Sequence, residues 1–329
     1  MPGPYRAAII GAGRIASEYD EPGQSLTLTH AHAISTSGRV QLAGFFDLDS
    51  RKAETAARKW GVQSFPSLDA MMSEKIDIAV VTVPNEQHAA VLDTLLDYKP
   101  RLVLCEKPLT TDHRRSLEIA AVYHSRKITL AVNYQRRYDP TVCELKARMQ
   151  NGHTGAFITG SLIYSKGILH NGSHGVDVLR YLFGEPSGFI VTSKVYDHSS
   201  HDPATAGILN FQNAQIHLIA GDERHFSIFE IDLIFERARY RFLQSGLSME
   251  RYEVRSDAVF SGYREMTLIA SAPTGLGTAL TLMVQDLAAH LDSGSELRIG
   301  ASSILNTQFV CEKLAAAPFY QYVSLDTNS

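Results

Sequence analysis

Over the first 133 residues, short apolar runs alternate with longer amphipathic ones, and this rhythm constrains the fold more than any other feature of the chain. "YRAAIIGAG", "VQLAGFFDLD", "IDIAVVTVP", "RLVLCEKP" and "ITLAVNY" have the length and apolar continuity of buried strands. "RKAETAARKWG", "EQHAAVLDTLLDY" and "DHRRSLEIAAVYHSR" read as helices. Strands apolar throughout and separated by helices pair in parallel, because each crossover lays a helix on the sheet and both faces become buried. Between the first two strands, "RIASEYD" and "HAHAISTSG" read as helical pieces separated by the turn-forming "EPGQS".

The rhythm then changes. "AFITGSLIYS", "GFIVTSKVYDH", "AGILNFQNAQIHLIAG", "FSIFEIDLIFERARYRFLQSG" and "ERYEVRS" are strand-like with few helices between them, the pattern of a large, mostly antiparallel sheet. The later helices are "HGVDVLRYLFG", "LTLMVQDLAAHLDSG" and "SSILNTQFVCEKLAAA". A chain of 329 residues is long for one core. The reading is therefore an α/β protein of two domains: a doubly wound parallel sheet over residues 1–133, and an α+β domain with the larger sheet over residues 134–329.

A formal net charge of −4, without runs of like charge, gives no attraction for nucleic acid or an anionic membrane surface, so neither is expected as a partner. No stretch approaches the apolar length of a membrane span, and the first residues lack a secretory pattern, so a cytoplasmic location is expected. Cys105, Cys143 and Cys311 form neither a disulfide framework nor a metal knuckle and read as free thiols.

"IIGAGRIA" sets Gly11, Gly13 and Ala16 as G-x-G-x-x-A between a strand and a helical piece. Gly11 permits the tight turn, Gly13 lets the backbone approach a pyrophosphate, and Ala16 allows close helix packing, so Gly11, Gly13, Arg14 and Ile15 are expected at a dinucleotide, as in a Rossmann domain. Asp47, closing the second strand, is the candidate for the adenine ribose, with Asp49 as its rival. An acid there repels a 2′-phosphate and favours NAD; Arg51 nearby keeps NADP open. The inserted "YDEPGQSLT" reads equally as a lid or as a surface loop.

The segment "VTVPNEQHAAVLDTLLDYKPRLVLCEKPL", together with "NYQRRYDP", resembles the glucose-fructose oxidoreductase, inositol dehydrogenase and rhizopine-catabolism family, Gfo/Idh/MocA, and the resemblance extends over nearly the whole chain. It implies a Rossmann domain, a mixed-sheet domain that builds dimers or tetramers through its sheet, and an active site between the two. By resemblance Pro84, Asn85, His88 and Glu106 lie along the cofactor, Glu106 near the nicotinamide ribose. Lys107 matches the catalytic lysine, which binds cofactor and reacting hydroxyl, and Pro108 a position commonly preceded by a cis peptide.

The family's second signature, D-x-G-x-H-x-x-D, reads here His170-Asn171-Gly172-Ser173-His174-Gly175-Val176-Asp177. His174 falls on the general acid or base, and His170 replaces the usual aspartate. Gly172 and Ser173 place the helix start near Ser173, leaving His170 in the preceding turn, so the two imidazoles do not share a helix face and no metal is expected. A structural pair and a proton relay both remain, the relay favoured. Tyr164 and Lys166, two apart in a strand, are expected on one face lining the substrate with His170, Asn171 and His174.

The expected activity is hydride transfer between NAD, or NADP, and a hydroxyl or keto carbon of a sugar, cyclitol or nucleotide-linked sugar. A base near working pH suits His174, and a cation beside the developing oxygen charge suits Lys107, with His170 assisting. "KGILHNGSHGVD" resembles relatives in polysaccharide and modified-sugar synthesis. The alternative is a sensor on the same fold that binds NAD or a sugar without turnover.

Overall fold

The computed structural model describes residues 4–325. They form two compact units: residues 4–138 with Gly277–Asn306, and Asp139–Leu276 with residues 307–325.

In the first unit, β1 (Tyr5–Ile10), β2 (Val40–Phe46), β3 (Gln63–Ser64), β4 (Ile78–Val81), β5 (Leu102–Glu106) and β6 (Thr129–Asn133) form one parallel sheet ordered β3-β2-β1-β4-β5-β6. Its central strands are apolar throughout; β4 is buried at every position. The helices between them begin where a side chain accepts an otherwise unpaired amide. Thr29 caps α1 (His30–Thr36), Asp49 caps α2 (Ser50–Trp60), Ser67 caps α3 (Leu68–Met72) and Asp112 caps α5 (His113–Ser125). Helix α2 ends at Gly61, whose φ of 66° is a left-handed conformation that glycine adopts without strain. Helix α4 (His88–Tyr98) follows β4. Strand order reverses between β1 and β4, and such a switch point opens a ligand crevice beyond the strands' carboxyl ends.

Residues 277–306, expected in the second domain, belong to this unit. The reason is an edge to be paired: Val132 of β6 donates its amide to Ile299 at 3.0 Å, and Ala131 bridges Gly300. The helix before them, α8 (Leu276–Ser293), buries Val284, Leu287 and Ala288. Periodicity marks α8 as a helix and is silent about which core receives it.

The second unit is built on nine strands ordered β14-β13-β12-β11-β7-β10-β9-β8-β15. These are β7 (Phe157–Tyr164), β8 (Pro186–Val195), β9 (Ala204–Phe211), β10 (Ala214–Ala220), β11 (Phe229–Phe235), β12 (Ala238–Leu243), β13 (Ser248–Ser256), β14 (Arg264–Pro273) and β15 (Tyr322–Ser324). Apart from the parallel β7 and β10, its neighbours are antiparallel. Burial alternates along β11 and β12, so one face is core. There Leu162, Ile216, Ile231 and Leu233 pack with Val176 and Leu179 of α7 (Ser173–Phe183) and Val310 and Leu314 of α9 (Ala301–Ala316). Helix α6 (Pro140–Gln150), capped by Asp139 with Pro140 at its first position, adds Val142 and Leu145.

Candidate functional site

At the switch point the two motif glycines do different work. Gly11 has φ 94°, and a Cβ there would lie 2.8 Å from the Thr82 carbonyl carbon and the Val83 nitrogen. Thr82 donates its hydroxyl to the Ile10 and Gly11 carbonyls at 3.0 and 2.8 Å, fastening the turn to β4; no sequence motif pointed to it. Around Gly13 a Cβ would meet nothing within 4 Å, so the turn is open where a ligand backbone would run. Ala16 is fully buried, but its helical piece is only the five-residue π-type turn Arg14–Glu18. Arg14 is exposed, its guanidinium 5.9 Å from the Tyr19 ring centre, and Ile15 is half-buried.

Asp47 stands beside this turn. Its Oδ2 accepts the Ala12 amide at 2.7 Å and its Oδ1 the Asp49 amide at 2.9 Å. Asp49 caps α2, its Oδ1 accepting Arg51 N–H at 3.1 Å.

The insertion that follows is pinned. Asp20, 2 % exposed, accepts the Leu28 amide at 2.6 Å, the Thr29 amide at 3.1 Å and the Thr29 hydroxyl at 2.6 Å, and pairs with His32 Nδ1 at 2.9 Å. Burial raises the Asp20 carboxyl, but the Thr29 hydroxyl, the Leu28 amide and His32 together bring it below its ordinary value. The loop is also fixed further along, where Thr27 donates to Gly277 at 2.8 Å.

Pro84 and Asn85 are exposed beyond β4. His88 is fully buried, with Nδ1 2.8 Å from the Pro108 carbonyl and Nε2 3.0 Å from the Val83 carbonyl. It ties the ends of β4 and β5 together rather than facing a ligand, which corrects its expected cofactor contact. Cys105 is buried 3.5 Å from His88 Nδ1, and burial, with the Glu106 charge, pushes its thiol well up.

Glu106 closes β5 opposite Asn133 of β6. Its Oε1 receives Asn133 Nδ2 at 2.7 Å and lies 2.7 Å from His30 Nε2. Burial raises this carboxyl, and the bond and charge of His30, with Asn133 and Lys107, outweigh it and hold it low. His30 was not foreseen; "HAHAIS" shows only two histidines near a helix start. Lys107 follows at the strand's carboxyl edge, and the Lys107–Pro108 peptide is cis.

In the second unit, His170 and Asn171 sit in a π-helical turn, Gly167–Gly172, running directly into α7, where His174 is second and half-buried. The stretch before Ser173 is thus helical rather than an open turn. Asp202, 8 % exposed, holds it: its two oxygens accept the Leu169 and His170 amides at 2.7 and 2.8 Å. Asn171 Nδ2 donates to the Ser165 and Ile228 carbonyls at 3.0 and 3.3 Å. The exposed His170 ring lies 4.8 Å, centre to centre, from His198. Asp177 is buried and accepts the Thr307 hydroxyl at 2.8 Å. Among the described residues no three His, Cys, Asp or Glu side chains gather as a metal site.

Tyr164 and Lys166 do not share a substrate face. Tyr164 is wholly buried, its hydroxyl donating to the Thr205 carbonyl at 2.7 Å and accepting the Thr205 amide at 2.8 Å. It belongs to the core, a correction. The strand ends there, and Lys166, at φ 66°, turns to pair with Glu223 at 2.9 Å, so strand alternation no longer relates the two.

Residues 5–134 match the family model of oxidoreductases with an NAD-binding Rossmann fold, Gfo/Idh/MocA. Over this domain the chain is similar to the Gfo/Idh/MocA oxidoreductases. Inositol 2-dehydrogenase 2 of Mycolicibacterium vanbaalenii is 31% identical over 208 residues, 58% of this chain and 54% of that protein. An inositol 2-dehydrogenase of Rubrobacter xylanophilus is 36% identical over 132 residues, 38% of this chain and 37% of its own. The match thus spans about half or less of these curated relatives. An oxidoreductase from Agrobacterium radiobacter, solved with NAD+, L-tartaric acid and magnesium, superposes with a TM-score of 0.75 at 16% identity, covering 97% of this chain and 98% of that one. UDP-N-acetylglucosamine 3-dehydrogenase from Acidithiobacillus ferrooxidans gives 0.71 at 17% identity over 94% and 96%. These two likenesses show a shared fold along nearly the whole chain and nothing finer.

Proposed function

We propose that this protein is an NAD-dependent dehydrogenase or reductase acting on a hydroxyl or keto carbon of a sugar or cyclitol, including nucleotide-linked sugars, with NADP as the alternative cofactor. The observation that carries the reading is the pairing of Asp47 with the Ala12 amide beside an open Gly13: an acid held at 2.7 Å from the glycine turn suits a ribose diol, and the space over Gly13 suits a pyrophosphate. The bound nicotinamide would supply the hydride chemistry. Lys107 stabilises negative charge on the substrate oxygen, and His174 takes or returns the hydroxyl proton. His170 contacts the substrate from the turn that Asp202 holds. The curated inositol dehydrogenases among its relatives support the substrate class.

The assembly we favour is a homodimer or tetramer through the second unit's sheet. Its outer face carries Ile219 beside Ile163 and a ladder in which Arg239 pairs with Asp232 at 2.9 Å and Arg241 with Glu250 at 2.9 Å. The reducing cytoplasm is our favoured location, where thiols such as the buried Cys105 and Cys311 persist; no helix among the described residues is long and apolar enough to cross a membrane.

The test mixes purified protein with NAD+ or NADP+ and a panel of inositols, sugars and nucleotide-linked sugars while reduced-nicotinamide absorbance is followed. Turnover abolished in Lys107→Ala and in His174→Ala is expected. Cofactor binding without turnover across the panel would instead make the protein a sensor.

A further inference from the structure

Two side chains beside Glu106 are buried at a cost that packing does not explain. The His30 side chain is fully buried, and it lines a small cavity together with Ala7, Ile78, Val80, Leu104, Val284 and Leu287. Its Nε2 reaches Glu106, while Nδ1 is buried with no hydrogen-bond partner. Asn133, 4 % exposed, repeats the pattern: Nδ2 reaches Glu106 and Oδ1 is buried without a partner. Each orphaned acceptor costs about 1–3 kcal/mol, and an apolar side chain in either place would avoid it. His32, two residues from His30, shows the contrast: its partner Asp20 also receives the amide of Leu28 and the amide and hydroxyl of Thr29.

Both donors fall on the same carboxylate oxygen. His30 Nε2 and Asn133 Nδ2 each lie 2.7 Å from Glu106 Oε1, and no described donor falls on Oε2. With Nδ1 left without a partner, a proton carried on Nε2 is what satisfies the pair. The carboxylate is therefore gripped on one oxygen, and the other is left as a strong acceptor at the carboxyl end of β5.

We propose that His30 and Asn133 are positioning residues for the cofactor, clamping Oε1 of Glu106 so that Oε2 is presented to a hydroxyl donor of the nicotinamide-side ribose. This rests on the dinucleotide reading above and assigns two residues to it. Protonating Glu106 would turn its free oxygen from an acceptor into a donor. The groups that face it are His30 from α1, Asn133 from β6, and Lys107 and the neutral Cys105 thiol beside it in the chain. Removing either clamp raises the carboxyl, so cofactor binding is lost at a higher pH than in the wild type.

The experiment titrates NADH and NADPH into the full-length protein from pH 3.5 to 9 by nicotinamide fluorescence, for wild type, His30→Leu, His30→Gln, Asn133→Ala, and His30→Leu in a Glu106→Gln background. Thermal melts accompany each variant. His30→Leu and Asn133→Ala are expected to weaken binding about tenfold and to move the acid limb upward, by the loss of one charge-assisted hydrogen bond. His30→Gln, which retains an amide donor, should return to within about threefold of wild type by the same scale. In the Glu106→Gln background, His30→Leu should add nothing to the loss. An unmoved limb with wild-type affinity in both His30→Leu and Asn133→Ala, or an undiminished His30→Leu penalty without the carboxylate, would overturn the clamp while leaving the dinucleotide reading intact. Wild-type protein that binds neither NADH nor NADPH would overturn that reading and the clamp with it. If His30→Leu does not fold, Asn133→Ala and His30→Gln decide the matter.

Discussion

The Asp47 carboxylate accepts the Ala12 amide at 2.7 Å, so the acid that ends β2 and the glycine turn that ends β1 move as one piece. Its geometry is set before any ligand arrives, which lowers the ordering cost of binding. Asp47→Ala should weaken NADH binding about tenfold and NADPH binding less, since the lost charge repels a 2′-phosphate. The ratio of the two dissociation constants is the measurement, because general loosening of the turn affects both alike.

Tyr164 separates core from site. Tyr164→Phe strips the hydroxyl that serves both the Thr205 carbonyl and the Thr205 amide. A stability loss of about 1–3 kcal/mol in denaturant melts is expected, with substrate KM unchanged. A large KM effect at normal stability would return the residue to the substrate.

Gly167 is required by its neighbour. At φ 70°, a Cβ would lie 2.2 Å from the Asp202 carboxylate, which caps the His170 turn. Gly167→Ala therefore combines a strained backbone with a displaced cap, and about 3 kcal/mol or more of stability should be lost. Asp202→Ala should cost about 2 kcal/mol through two abandoned amides, a difference that parallel urea melts resolve.

Asp20 makes the first unit acid-sensitive. A carboxyl held low in the folded state contributes stability that is complete above its unfolded value near about 4 and is lost as pH falls through the folded value. Asp20→Asn should cost about 2 kcal/mol at pH 7, by weakening the carboxylate's bonds to the Leu28 amide, the Thr29 hydroxyl and the His32 ring. Between pH 5 and 2 its stability should fall less steeply than that of the wild type, as guanidinium melts across that range would show.

Strand and helix periods and the Gly11 turn were legible in the amino-acid order, because each depends on local backbone geometry or on burial repeating along a single element, whereas Glu106 and Lys107 stood out through the family resemblance. Apolar runs interrupted by helices leave a parallel sheet little choice, and the carboxyl ends of its strands are then known in advance. Periodicity carries no address, however. It marked residues 280–294 as a helix but could not say that the segment beyond it pairs with β6, since an open edge strand can be met from any point in the chain. Nor could it bring His30 to Glu106, 76 residues away, or set Asp202 under a turn 32 residues before it. Those partnerships arise only when packing closes distant segments around a shared carboxylate. A buried charge must then find its donors wherever the folded chain happens to bring them.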